Sequence, residues 1–224
     1  MNNLLFGSIG VLTETSELQR QALNQALNDF GTGLRWNIAT YCQHLTRPGG
    51  YARLISAGLD IDTAHRVHNR KQDIFADLVA SGLTPRPGVV QLIEDCHQAG
   101  VRLGFITTTT PQTLQLIKTA LRTDIDFSRF AVLTDKTDVN AEKPHPEVYL
   151  HALQTLSATT QSCLAIEDTP ANQQAALNAG LQCLLYPGEY ACVSLDTDIC
   201  THLSFADCKA SAACPSLPLD QQVA

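Results

Sequence analysis

Two hydrophobic periods alternate along this chain and divide it. Leu18, Ala22, Leu23, Ala26, Leu27 and Phe30 recur at helical spacing; Thr15/Ser16 can cap that helix, with Glu17 near its start, and Gly31 and Gly33 stop it. Residues through about Gly82 read as further short helices with few β-branched runs, so 16–84 is expected to be an all-helical insert. The stiff, turn-rich segment Thr84-Pro85-Arg86-Pro87-Gly88 then suits a hinge. Beyond it, helix and strand alternate. Helical patterns at Val89–Gln98, around Leu114, Ile117 and Leu121, at Glu147–Leu156 and at Ala171–Ala179 separate short apolar runs at Val101–Ile106, Phe130–Leu133, Cys163–Ile166 and Cys183–Tyr186. The run Leu4-Leu5-Phe6 opens the chain in the same manner. Repeated βα units predict an α/β fold, a doubly wound parallel sheet with helices on both faces. The expected organisation is a core of 1–15 plus 85–210, a helical cap of 16–84, and a Ser/Ala/Pro-rich, frayed tail of 211–224.

Composition narrows the function classes. With 44% apolar and 17% charged residues the chain reads as a soluble globular protein. The net charge of −7 and the lack of a dense Lys/Arg cluster argue against a nucleic-acid or anionic-membrane surface. No apolar stretch is long enough to span a bilayer, and Met1-Asn2-Asn3-Leu4 resembles no signal peptide, so a cytoplasmic location is the expectation. None of the eight cysteines forms a Cys-x-x-Cys pair, and the last four crowd the C-terminal end at spacings unlike zinc sites. They read as reduced structural thiols.

Candidate chemistry sits at four strand ends: the loop after Phe6, Thr107-Thr108, Lys143, and Glu167-Asp168. On a doubly wound sheet these ends share one crevice. Hydroxyls and backbone N–H groups there suit phosphate oxygens, Lys143 would offset their charge, and Asp168 would ligate Mg²⁺, which prefers oxygen ligands. Singly, each residue has a plain structural explanation; their order and spacing together favour a site.

The motifs resemble those of the haloacid dehalogenase superfamily over nearly the whole chain, and most of all its β-phosphoglucomutase and CbbY-like sugar-phosphate phosphatase branch. Phe6, Gly10, Val11 and Leu12 fit the first motif, Phe-Asp-x-Asp-Gly-Val/Thr-Leu. Gly49-Gly50-Tyr51-Ala52-Arg53 fits a cap element, and Lys143-Pro144-His145-Pro146-Glu147-Val148-Tyr149 fits the third motif. Glu167-Asp168-Thr169 with Ala175-Ala176-Leu177-Asn178-Ala179-Gly180 fits the fourth, except that Asn172 replaces a glycine.

In that family the first aspartate of the first motif attacks phosphorus and ligates Mg²⁺, and the second is the general acid/base. Here they fall on Gly7 and Ile9, which carry no carboxylate. The resemblance therefore implies a phosphate site of Ser8, Ile9, Thr107, Thr108 and Lys143, with Asp168, Glu167 and the Ile9 carbonyl left as metal ligands. Mg²⁺ binding is expected to be weak or absent. The Ser8 side chain should point away from the crevice. Lys143 is expected to pair with Glu167 or Asp168. Glu14, Arg47, Gly50 and Arg53 are the cap-side candidates for a second phosphate or a sugar. The leading expectation is an inactive or strongly impaired member of the fold that retains a sugar-phosphate site. The alternatives are a Mg²⁺-dependent sugar-phosphate phosphatase with a non-standard nucleophile, and a structural relic whose cap serves oligomerisation. A small phosphorylated metabolite is the expected partner, and a protein partner stays open.

Overall fold

The structure is a computed structural model and describes residues 1–45 and 49–213. Arg47 and residues 214–224 of the expected tail lie outside the described residues; residues 211–213, expected to be frayed, end a helix instead.

The elements run β1 (Asn3–Phe6), α1 (Ile9–Leu12), α2 (Ser16–Asp29), α3 (Ile38–Leu45), α4 (Gly50–Ser56), α5 (Ile61–Val79) and α6 (Val89–Gln98). They continue with β2 (Arg102–Ile106), α7 (Pro111–Ala120), β3 (Phe130–Thr134), α8 (Glu147–Leu156), β4 (Cys163–Glu167), α9 (Pro170–Asn178), β5 (Gln182–Leu185) and α10 (Phe205–Ala213). The five strands form one parallel sheet in the order β3-β2-β1-β4-β5. β1 is central and buried along its whole length, which is why it reads as an unbroken apolar run. Its period of two still sorts the side chains: Leu4 and Phe6 join one packed cluster, and Leu5 joins the other, with Tyr149, Ala152 and Ala175. The chain leaves β1 toward β2 on one side and finds β4 on the other. This switch point is where such sheets open a crevice at the carboxyl ends of their strands.

Two local expectations differ from what forms. Thr15 stands at the N-cap of α2 but makes no side-chain cap bond; the Glu14 carboxylate accepts the Ser16 N–H instead, at 2.8 Å. α5 is a single helix of 19 residues rather than one of several short ones. Its apolar stripe of Ala64, Val67, Ile74, Phe75 and Val79 is interrupted by His68, Lys71 and Gln72, so the periodicity is broken in the middle. Those three polar residues line a cavity, which explains the break.

Arg86 pins the junction. Its guanidinium donates to the carbonyls of Gly10 (2.7 Å), Tyr186 (3.0 Å) and Pro187 (2.8 Å), and it stacks 3.5 Å over the Tyr186 ring. One side chain thus ties together the loops that follow β1 and β5. Arg86→Ala is expected to destabilise the fold by about 3 kcal/mol, because several charge-assisted bonds vanish and leave carbonyls unpaired. Arg86→Lys should recover only part of that, since an ammonium lacks the planar fork. A urea titration read at constant m-value checks both.

Candidate ligand site

A cavity of about 360 Å³ opens at the carboxyl ends of β1, β2 and β4, beneath α2–α5. Its lower wall holds Ile9, Gly10, Thr107, Thr108, Lys143 and Asp168; its upper wall holds Gly50, Arg53, His68 and Lys71. That volume suits a small, polar ligand.

The lower wall is already internally paired. The Lys143 ammonium donates to the carbonyls of Gly7 and Ile106 (the latter at 2.7 Å) and to Glu167 Oε1 at 2.5 Å. An ammonium has three N–H donors, so these acceptors occupy all of them. Of the two carboxylates that were candidates, Glu167 takes the charge. Its side chain is fully buried and also accepts from the Tyr149 hydroxyl at 2.6 Å. Burial pushes its carboxyl up from the ordinary value, against the pull of Lys143 and Tyr149. This carboxylate lies where a side chain at Gly7 would be. A Cβ on Gly7 would collide with the Glu167 carboxyl group and the Tyr149 hydroxyl. Those two groups fill the volume that any side chain at position 7 would need, and Glu167 does not line the cavity.

The other loop residues have specific partners. The Thr107 hydroxyl accepts the Thr109 N–H at 3.1 Å, while its own N–H donates to Thr134 Oγ1 at 3.0 Å. Ser8 is buried and its hydroxyl makes no hydrogen bond. Asp168 faces the cavity with its carboxylate lying over Gly10, where a Cβ would collide with it. Asn172, the residue that departs from the motif, donates to Asp168 Oδ1 at 2.9 Å. Among the described residues no group of three or more His, Cys, Asp or Glu side chains could hold a metal ion.

Glu14 needs a correction. It was a candidate for the cap side of the site, but it does not line the cavity. One carboxylate oxygen accepts from Ser16 N at 2.8 Å and the other from Glu189 N at 2.7 Å, so it clamps α2 to the loop after β5.

The upper wall holds the charge that sequence reasoning underestimated. Arg53 was expected there; Lys71 and His68 were not. Lys71 donates to Gln19 Oε1 and has no carboxylate partner among the described residues. Burial and the neighbouring Arg53 charge bring its ammonium down to about 8. Burial also lowers Arg53, and burial with the Lys71 charge lowers His68. Three basic groups, with Lys71 within range of the other two, make an anion-seeking surface. The signal was present in the sequence as the polar interruption at 68, 71 and 72 of an otherwise amphipathic helix.

The family model described as haloacid dehalogenase-like hydrolase matches residues 4–180. Protein CbbY of Rhodobacter capsulatus is 33% identical over 194 residues, covering 84% of this chain and 86% of that protein. A phosphorylated carbohydrates phosphatase of Thermotoga maritima is 26% identical over 187 residues, covering 81% and 83%. Among solved structures, CbbY of Rhodobacter sphaeroides in complex with phosphate superposes with a TM-score of 0.76 at 29% identity, covering 90% of this chain and 92% of that one. A mutant of the same protein, with the same TM-score, is in complex with xylulose-(1,5)bisphosphate.

Proposed function

The chain belongs to the haloacid dehalogenase-like hydrolases, and from that membership we propose that it is a non-catalytic binder of a small phosphorylated sugar. One observation carries the reading. The space at Gly7, where the family places its nucleophile, is filled by the Glu167 carboxyl and the Tyr149 hydroxyl, and the Lys143 donors are all engaged. Nothing nearby substitutes. Ser8 lines the cavity, but its buried hydroxyl has no hydrogen-bond partner to take its proton, and Glu14 is bound to two backbone N–H groups away from the cavity. Ile9 lines the cavity but has no proton to transfer.

The family's phosphatases generally use Mg²⁺, and the residues of this chain do not fit that ion. Glu167 is withdrawn and neutralised by Lys143, and Asp168 accepts from Asn172. The carboxylates that line the cavity are then Asp168 and the exposed Glu142, fewer oxygen ligands than a divalent cation needs, and among the described residues no group of three or more such side chains could hold a metal. The ligand's anionic group is held mainly from above, by Arg53, Lys71 and His68. Thr107, Thr108 and the loop backbone supply neutral hydrogen bonds below. The relatives' handling of phosphorylated sugars supports that ligand class.

Two measurements test this. Phosphate release from a panel of sugar phosphates with Mg²⁺ should show no turnover; turnover that Asp168→Asn abolishes would overturn the reading. Calorimetric titration with xylulose 1,5-bisphosphate and with inorganic phosphate should show binding, and failure of every phosphorylated compound in a broad screen would sink it.

Lys71 offers a sharper check. Its folded value near 8 lies below the ordinary 10.5, so between those pH values the unfolded chain holds more protons. Stability should therefore rise with pH across that window, and Lys71→Met should remove the rise. Anion affinity should move the other way, falling as pH passes through about 8 and Lys71 loses its charge. At pH 7 the same substitution should weaken phosphate-ester binding about tenfold, the loss of one charge-assisted bond, while leaving the fold no less stable.

A further inference from the structure

The loop after β5 runs as a strap against the helical segment over the cavity. Glu189 N donates to Glu14, the Tyr190 hydroxyl donates to Glu17 at 2.6 Å, and the Tyr190 ring meets Tyr41 edge-on at 6.1 Å. Two residues further along the strap, the Cys192 thiol donates to the carbonyl of Cys42 at 3.5 Å. The two segments therefore lie side by side, Tyr190 next to Tyr41 and Cys192 next to Cys42. Both cysteines are reachable: Cys192 is exposed and Cys42 is half-buried.

We propose that Cys42 and Cys192 are an oxidation-sensitive pair whose disulfide fastens the loop after β5 to α3. The sulfur of Cys192 already touches the main chain of Cys42, so rotation about the Cys42 Cα–Cβ bond and a small adjustment of the loop bring the sulfurs to bonding distance. The helix concerned matters to the site, because Tyr41 and Leu45 of α3 line the cavity. A bridge here holds α3 against the core and restrains the upper wall.

The chemistry balances with hydrogen peroxide as oxidant. The Cys192 thiolate attacks one peroxide oxygen, the O–O bond breaks, and a sulfenic acid and hydroxide form. The Cys42 thiol then attacks the sulfenic sulfur; the S–S bond forms, the S–O bond breaks, and water leaves with the Cys42 proton. Two thiols lose two electrons, and peroxide is reduced to two waters. Exposure makes Cys192 the sulfur that meets the oxidant. Burial and the Cys192 thiol raise Cys42, which makes it the slower of the two toward peroxide; its place in the second step rests on its position beside Cys192.

The other described cysteines compete poorly. Cys96 and Cys208 are buried, and burial pushes each thiol up to about 12, leaving almost no thiolate at neutral pH. Cys163 is buried beside Asn3 and Ser162, and Cys183 is also raised by burial. Cys200 is half-buried, donates to the His202 carbonyl at 2.7 Å, and is raised by burial.

The test is peroxide treatment of the full chain, followed by peptide mapping by mass spectrometry without reduction. A Cys42–Cys192 cross-linked peptide as the main product, absent in Cys192→Ser and reversed by dithiothreitol, is the expected result. Hydrogen exchange over residues 38–45 should slow at least several-fold on oxidation of the wild type and not change in Cys192→Ser. Over-oxidation of Cys192 without a bridge would overturn the proposal. So would a bridge from Cys192 to any other cysteine, Cys214 included, or to a second chain. Because Cys192 is exposed, its replacement by serine leaves the fold intact and the comparison interpretable.

Discussion

The Gly7→Asp/Ile9→Asp double variant is expected to release phosphate from an aryl phosphate in the presence of Mg²⁺ at least about a hundredfold faster than the wild-type chain, since a positioned general acid/base alone contributes roughly 10²–10⁴. The motifs behind those positions are in place. Thr107, Lys143 and Asp168 already line one cavity, and Ile9 lines it too, so a carboxylate at position 9 enters a polar space. Position 7 is harder. A side chain there must push the flexible end of Glu167 out of the volume it shares with the Tyr149 hydroxyl. The displaced Glu167 then returns toward the cavity beside Asp168, and the introduced carboxylate takes over Lys143. That rearrangement assembles the acidic oxygens that the wild-type chain lacks. Crowding at position 7 should lower stability by about 1–3 kcal/mol, the usual range for overpacking a filled interior. A folded double variant that stays silent would mean that the scaffold has changed beyond the two positions; Asn172, which ties Asp168, is the first place to look.

Lys143→Met is expected to be the most damaging single substitution at the site, lowering stability by about 3–5 kcal/mol at pH 7 because it strands a buried carboxylate. Lys143 and Glu167 are 4% and 0% exposed at their side chains, so water cannot replace the lost partner. The deficit should depend on pH in a definite direction. Glu167 is already raised by burial, and without Lys143 it rises further. A carboxyl whose folded value lies above its unfolded one gains stability as pH falls. The gap between variant and wild type should thus narrow on acidification from pH 7 toward the ordinary Glu range. Lys143→Met/Glu167→Met should recover most of the loss, since removing both charges leaves nothing buried and uncompensated. Chemical denaturation of all three proteins at two pH values reads every arm. A pH-independent deficit, or a double variant as weak as the single one, would show that the ion pair is not what Lys143 contributes.

Gly7 and Asn172, two of the departures from the family pattern, illustrate how far residues can be read one at a time. That Gly7 removes a nucleophile follows from its identity. That Glu167 and Tyr149 fill the space beside Gly7 does not, because Glu167 belongs to β4 and Tyr149 to α8, and only the folded chain brings them beside β1. Asn172 read as a lost glycine; in the fold it is a donor to Asp168. Glu14 read as a carboxylate near the crevice, and in the fold it holds two N–H groups elsewhere. A side chain's rotamer and partners depend on elements far away in the chain, so such roles are invisible to spacing.

The sequence by itself determined the parallel sheet with its alternating helices, because hydrophobic periodicity and turn residues are local and each βα unit carries its own signal. It also determined which strand ends carry Thr107, Lys143, Glu167 and Asp168, and that positions 7 and 9 lack carboxylates. Tertiary structure alone decided how charge is distributed across the cavity. Lys143 is neutralised from below by a glutamate that fills the space beside Gly7, while Lys71, Arg53 and His68 face the ligand space from above. The reason is packing: a buried charge settles wherever space and a partner coincide, and that coincidence exists only once the chain has folded.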